Sequence, residues 1–164
     1  MYKRFLLVLS TATLLAGCVS AERGPYSAIT REDGQPHQLT HGVTMLDMNV
    51  RNSFLLVSHS AARAPGGQIQ ARVTMQNIFK DTDLWADVRF VFYNPNGEPV
   101  DVGAWQTVYF PPMDLVMVEG NSMRGDAQQF NAQFRNLRSR DGRELCYPDK
   151  IYEHGYWKDG VMPQ

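Results

Sequence analysis

The sequence predicts an all-β fold, a small antiparallel β-sandwich that follows a signal peptide and a flexible tether. Three observations support this prediction. Apolar and polar residues alternate over residues 68–77 and again over 84–93, which is the period of a strand with one buried face. Turns rich in Gly, Pro and Asn recur at intervals of roughly 10–18 residues, as they do in sandwiches. No segment has a convincing helical period longer than about two turns.

Residues 68–110 form the stretch around which the other strands are expected to arrange. The core-facing positions of its first strand are Ile69, Ala71, Val73, Met75 and Asn77. Those of its second strand are Leu84, Ala86, Val88, Phe90 and Phe92. A polar turn over residues 79–83 separates the two strands. Such a meander cannot cover its own apolar face, so a second sheet is expected.

Further strands follow from similar signals. The second strand ends in Asn94-Pro95-Asn96-Gly97, a hairpin turn in which Pro presets φ and Asn-Gly tolerates positive φ. Another strand is predicted over residues 105–110, where Pro111-Pro112 ends it. The first strand of the domain is predicted over 49–58, and a loop over 61–67. Short strands are expected over 115–118 and 130–137, with a helix over 126–134 as the rival interpretation.

The amino terminus has the pattern of an export signal. Lys3-Arg4 precedes an apolar run that is shorter than the ~20 residues a membrane-spanning helix needs. The run ends in Leu15-Ala16-Gly17-Cys18, which resembles the lipobox of bacterial lipoproteins. This resemblance implies that residues 1–17 are removed and that Cys18 carries the lipid. Val19, rather than Asp, follows the cysteine, which favours the outer membrane. An ordinary cleaved signal with an incidental cysteine is the alternative.

The rest of the chain divides by composition. Residues 18–45 are polar and show no period, so they are predicted to be the lipidated cysteine and a flexible tether that lets the domain stand off the membrane. Residues 46–137 are predicted to form the sandwich, and 138–164 an irregular carboxyl-terminal extension. The net charge of −1, with scattered Arg, argues against nucleic acid as a partner. No second apolar run is long enough to cross a membrane.

Few residues point to chemistry. If Cys18 is lipidated, Cys146 is a lone cysteine, and burial, an intermolecular bridge or a reactive thiol each fit. Cys146 with His154 could act as a nucleophile pair, although no third member stands out. Four other patterns are better explained without a functional site: His37 with His41, His59 between two serines, Asp81 with Asp83, and Arg124-Gly125-Asp126, a chance match to an adhesion tripeptide. No catalytic residue, metal or cofactor is predicted.

Outward-facing aromatic residues are the better candidates for function. Trp85 and Tyr93 lie on the less apolar face of the second strand, with Arg89 between them. Tyr156 and Trp157 are expected to gather near them. Because aromatic residues and Arg are enriched at binding surfaces, these five residues are predicted to bind a partner. The alternative is that the carboxyl-terminal segment packs over this face.

Residues 71–135 resemble the YcfL-type family of small bacterial lipoproteins of unknown function. The matching features are the strand that ends at Asn77, the aromatic strand over 88–93, Gly97, Val100 and Trp105. Phe92 departs from the pattern, since members usually have Trp there. The resemblance implies an immunoglobulin-like sandwich on a lipid tether, and it transfers no catalytic residue.

Together these features predict a non-catalytic lipoprotein of the outer membrane, facing the periplasm. Its sandwich is expected to be a protein-binding accessory module of a cell-envelope assembly. The alternative function is a thiol-dependent hydrolase or redox enzyme that uses Cys146 and His154.

Overall fold

The computed structural model describes residues 23–30, 42–139, 152–153 and 156–157 of the 164-residue chain. These residues contain twelve strands and one short helix. Their bounds are β1 Arg23–Ser27, β2 Ile29–Thr30, β3 Gly42–Asp47, α1 Met48–Ser53, β4 Phe54–Arg63, β5 Ile69–Asn77, β6 Leu84–Tyr93, β7 Pro99–Val102, β8 Gln106–Phe110, β9 Leu115–Asn121, β10 Gln129–Arg138, β11 Tyr152–Glu153 and β12 Tyr156–Trp157.

Two sheets face each other. Sheet A has the strand order β1-β3-β10-β6-β7, and β8 pairs with the first half of β6 while β7 pairs with its second half. Sheet B has the order β2-β4-β5-β9. Most neighbours are antiparallel, while β3–β10 and β2–β4 are parallel. The all-β sandwich predicted from the sequence is confirmed.

One apolar core lies between the sheets. Side chains of β5, β6, β8 and β10 meet those of α1 and β4 there, and its largest fully buried members are Phe54, Phe92, Phe110 and Phe134. The rings of Phe54, from sheet B, and Phe110, from sheet A, pack against each other with their centroids 4.6 Å apart. All ten core-facing positions predicted for β5 and β6 are buried. Burying a Phe side chain contributes roughly 1.5–3 kcal/mol, so this alternation determines which face is inside.

The amino-terminal strands differ from the prediction of a tether over residues 18–45. Within that range β1 pairs with β3, and β2 pairs with β4. Ala28 and Ile29 are buried between these strands, so the described part of the sandwich starts at residue 23. The sequence did not reveal them because β1 and β2 are five and two residues long, too short for a periodic signal.

Helix α1 replaces the first half of the strand predicted over 49–58. Asp47 caps it, because its Oδ1 accepts a hydrogen bond from the Val50 amide at 2.7 Å. Val50 is fully buried, and the Ser53 hydroxyl donates to the Asn49 carbonyl at 2.7 Å. The sequence predicted a strand here because of the strong apolar run that begins at Phe54, whereas the residues before it prefer a cap and a turn. Within the described residues, no helix is long and apolar enough to cross a bilayer.

Strand ends also differ from the sequence prediction. β4 continues to Arg63, into the predicted loop over 61–67, and β9 continues to Asn121. β7 was not predicted. β10 is a strand, so the rival helix over 126–134 is wrong. In the predicted irregular extension, β11 and β12 pair as a short hairpin.

Candidate partner-binding surface

The outer face of sheet A is the surface on which the predicted binding residues were expected. The alternation of β6 places Trp85, Asp87, Arg89 and Tyr93 there, since the intervening residues are buried in the core. Trp85 and Tyr93 are eight residues apart on one strand, which corresponds to roughly 26 Å, so they cannot belong to one small contact. The structure therefore places two of the predicted binding residues, Trp85 and Tyr93, at opposite ends of β6.

Around Arg89 the structure assembles a cluster that sequence reasoning did not find. The guanidinium carbon of Arg89 lies 4.4 Å from the centroid of the Trp105 ring, and that of Arg135 lies 3.8 Å from it. Arg89 Nε also donates to Gln133 Oε1 at 2.8 Å. Each cation–π contact contributes about 0.5–1 kcal/mol at an exposed site. We call Arg89, Trp105 and Arg135 the Arg–Trp–Arg cluster.

Trp85 has an aromatic neighbour of its own. Its ring centroid is 4.8 Å from that of Tyr109, the residue opposite it on β8. The Tyr109 hydroxyl donates to Asp83 Oδ1 at 2.5 Å. Tyr109 is 44% exposed, which is high for a large aromatic side chain and leaves this pair accessible to a partner.

Asp87 lies between these two groups and holds three strands together. Its carboxylate accepts hydrogen bonds from Thr107 Oγ1 at 2.8 Å, Asn136 Nδ2 at 2.9 Å and Arg138 Nη2. Burial alone would raise the pKa of the Asp87 carboxyl. The hydrogen bonds from Asn136 and Thr107, with the charges of Arg138 and Arg135, outweigh it and lower the pKa below 3.8. Asp87 therefore stays ionised and bound to Arg138 at neutral pH.

The positive charge of this face is only partly compensated. The Asp87 carboxylate forms an ion pair with Arg138. Among the residues that the structure describes, neither Arg89 nor Arg135 has a carboxylate within ion-pair distance. Arg135 Nε is also buried without a hydrogen-bond acceptor. Two guanidinium groups thus flank an indole without a carboxylate of the described chain in ion-pair distance, a combination that suits a carboxylate of a partner.

Of the other predicted binding residues, Tyr93 is not brought to this cluster. Tyr93 pairs with Gln129 and Pro99 at the far end of β6, beside the Asn94 hairpin turn. Tyr156 and Trp157 form β12, and their side chains lie outside the described part of the chain. Cys18, Cys146, His154, His37 and His41 also lie outside it. The lipid site and the thiol alternative therefore remain predictions.

The remaining motifs have structural roles. His59 contacts Phe130 edge-on at 6.4 Å and lies against Gly42, whose φ of 117° suits glycine. The Arg124 guanidinium donates two hydrogen bonds of 3.0 Å to the Asp126 carboxylate. Asp83 is engaged by Tyr109, and no group of three potential metal ligands occurs among the described residues.

Comparison with known proteins adds information on the fold. No family model matches the chain. No curated protein matches it either. The chain is similar to the crystal structure of cj0090 from Campylobacter jejuni, with a TM-score of 0.50 and 13% identity over 58% of this chain and 97% of that one. It also resembles a DUF1425 family member from Shewanella sp. PV-4, with a TM-score of 0.46 and 19% identity over 50% of this chain and 76% of that one. The second likeness is too loose to support an argument, and the first shows a shared sandwich fold.

Proposed function

We propose that this chain is a lipid-anchored protein of the bacterial cell envelope, held through Cys18 at the outer membrane and facing the periplasm. Its sandwich is a non-catalytic module that binds another envelope protein. The outer face of sheet A is the binding surface. The lipobox-like ending at Cys18 and the resemblance of residues 71–135 to YcfL-type lipoproteins support the placement of the protein.

The Arg–Trp–Arg cluster is the observation that carries the binding proposal. Trp, Tyr and Arg are the residues most enriched among those that dominate binding energy at protein interfaces. Here they are concentrated on one face, next to the pair of Trp85 and the exposed Tyr109. Arg89 and Arg135 form no ion pair with a described carboxylate, which favours a partner that presents carboxylates.

The anchor is tested by replacing the lipid-bearing residue. Cys18→Ser is expected to move the protein from the membrane fraction to the soluble periplasmic fraction, because only an acylated cysteine anchors the chain. Cell fractionation followed by immunoblotting measures this shift, and mass spectrometry of the wild type reports the acyl mass. The matched control is Cys146→Ser, which is expected to stay with the membrane. Membrane retention of a Cys18→Ser chain from which residues 1–17 have been cleaved, or a wild type without the acyl mass, would refute the anchor.

The binding face is tested by cross-linking in the cells that express the protein. A photoreactive residue is placed at Tyr109, on the proposed face, or at Ser60, which is exposed on sheet B. The Tyr109 position is expected to give one discrete adduct with an envelope protein, and the Ser60 position none. Trp105→Ala should reduce the adduct at least about tenfold, since losing a central interface anchor costs ~2 kcal/mol or more.

A matched control separates binding from general surface charge. Arg72 is also an exposed arginine, but it lies on sheet B in an ion pair with Glu119 at 2.7 Å. Arg72→Ala should leave the adduct unchanged, whereas Arg89→Ala should weaken it. Equal effects of the two substitutions would contradict a specific role for the cluster. Thermal melting of each variant shows whether the fold is intact.

A further inference from the structure

Strand β9 is an edge strand of sheet B. It pairs with β5 on one side, and no other strand of the described chain pairs with its opposite side. Ser122 N donates to Ile69 O at 2.8 Å, and Asn77 N donates to Asp114 O at 3.3 Å. Since backbone groups alternate in direction along an antiparallel strand, the even-numbered residues of β9 face β5. The odd-numbered residues therefore direct their N–H and C=O groups towards the open edge.

This edge has little of the usual protection against pairing, since Glu119 is the single charged residue of β9. Natural edge strands carry Lys, Pro or a bulge that blocks addition of another strand. The segment 115–118 is entirely apolar, and on its outer side Leu115 is 48% and Met117 57% exposed. The Leu115 amide is occupied by Asp114 Oδ1 at 2.8 Å, so the free amides begin at Met117. An open ladder with apolar side chains along it is suited to receive another strand.

A cavity of about 230 Å³ lies beside the inner side of this edge. Its apolar wall is formed by Val88, Phe90, Phe92 and Val118. Gly120 also lines it, and a Cβ there would lie only 2.3 Å from the Phe90 ring. The volume is below the roughly 300–1,000 Å³ of small-molecule sites, which leaves an added side chain as the better occupant.

We propose that the occupant is β9 of a second copy of this chain, paired antiparallel across a two-fold axis at Val118. Met117 of one copy then faces Glu119 of the other, and both have backbone groups on the open edge. Val116 of the second copy faces Gly120, so its side chain can pack beside the Phe90 ring, which occupies the space over that glycine. The two-fold axis repeats this fit, as an isologous interface requires.

The neighbouring registers fit less well. An axis at Met117 would place Asp114 of the second copy, instead of Val116, opposite Gly120, where its carboxylate would lie beside the Phe90 ring. An axis at Glu119 would place the two Glu119 carboxylates opposite each other, which is destabilising in a ladder. An axis at Val118 avoids both arrangements. The Arg–Trp–Arg cluster lies on the outer face of sheet A, and its Arg89 also lines this cavity, so the two proposed surfaces adjoin at that residue.

The register is tested by disulfide formation between two differently tagged full-length chains in the Cys146→Ser background. One chain carries Met117→Cys and the other Glu119→Cys. In the proposed register, residue 117 of one chain and residue 119 of the other form a hydrogen-bonded antiparallel pair. The Cα atoms of such a pair are ~5.5 Å apart, which suits a disulfide. We expect a disulfide between the two variants on mild oxidation. Met117→Cys alone should not cross-link, since diagonal neighbours are ~7–8 Å apart. Failure of the mixed pair to cross-link, or efficient self-cross-linking of Met117→Cys, would overturn the proposal.

The oligomeric state gives a second measurement. Met117→Pro removes an amide that points to the open edge and leaves the β5 ladder intact, while Met117→Thr keeps that amide. Sedimentation velocity of the full-length protein in detergent should show a dimer for the wild type and Met117→Thr. Met117→Pro should raise the dimer dissociation constant at least about tenfold. A monomeric wild type, or equal dissociation constants for the Pro and Thr variants, would overturn the proposal.

Discussion

Replacing Phe134 by Asp is expected to prevent folding of the domain. Phe134 is fully buried in β10, the strand between β3 and β6, where it is registered with Met45 and Val88. Truncating a buried Phe costs about 3–5 kcal/mol, and an unpaired buried carboxylate adds several more. The sum reaches the ~5–15 kcal/mol by which domains are stable. Far-UV circular dichroism and thermal melting of the purified variant measure the loss of structure.

Two controls sharpen this test. Phe134→Leu keeps an apolar side chain and is expected to cost clearly less than the charge. Phe90→Asp should be milder than Phe134→Asp, because Phe90 borders the open cavity beside β9 and a carboxylate there can reach water. A Phe134→Asp variant that melts like the wild type would contradict the position of β10 at the centre of the core.

Replacing Asn77 by Ala is expected to destabilise the domain by about 3–5 kcal/mol. Asn77 is fully buried at the end of β5, and its Nδ2 donates to the Thr82 carbonyl at 2.8 Å and the Phe110 carbonyl at 3.0 Å. Its Oδ1 accepts from the Phe79 amide at 3.0 Å. Each backbone group left without a partner in the interior costs about 1–3 kcal/mol. Urea unfolding at equilibrium measures the change.

Asn94 provides the matched comparison. It also makes three side-chain hydrogen bonds, to the Asn96 and Glu98 amides and to the Glu98 carboxylate, but they are open to solvent. Water can replace them, so Asn94→Ala should cost no more than ~1 kcal/mol. If both substitutions destabilise the domain equally, burial of the Asn77 bonds is not the cause of its effect.

The sequence predicts those features of the fold that depend only on the pattern of residues within a single strand. The faces of β5 and β6 were predicted correctly because their alternation is uninterrupted, and it placed Asn77 at a core position. β1 and β2 were missed because their pairing with β3 and β4 depends on partners many residues away. α1 was missed because its cap at Asp47 is a single polar residue before a strong apolar run.

The candidate surface divides in the same way. Period-two alternation placed Trp85 and Arg89 on the outer face without any knowledge of the sheet. The contact of Trp105 with Arg89 and Arg135 depends on how β6 is registered against β10, where Gln133 faces Arg89. Alternation does not give that register, because every shift by two residues preserves it. The sequence signal for the cluster was an outward-facing Trp105 that follows a strand with an outward-facing Arg89.

The early start of β1 limits how far the domain can rise above the bilayer. If Cys18 carries the lipid as proposed, five residue steps separate it from Arg23, the first residue of β1. A fully extended chain covers at most ~3.3–3.6 Å per residue, so the linker between Cys18 and Arg23 is no longer than about 18 Å. The sandwich would then lie directly above the lipid headgroups. A partner in the envelope would have to present its docking segment at the same small distance from the membrane surface.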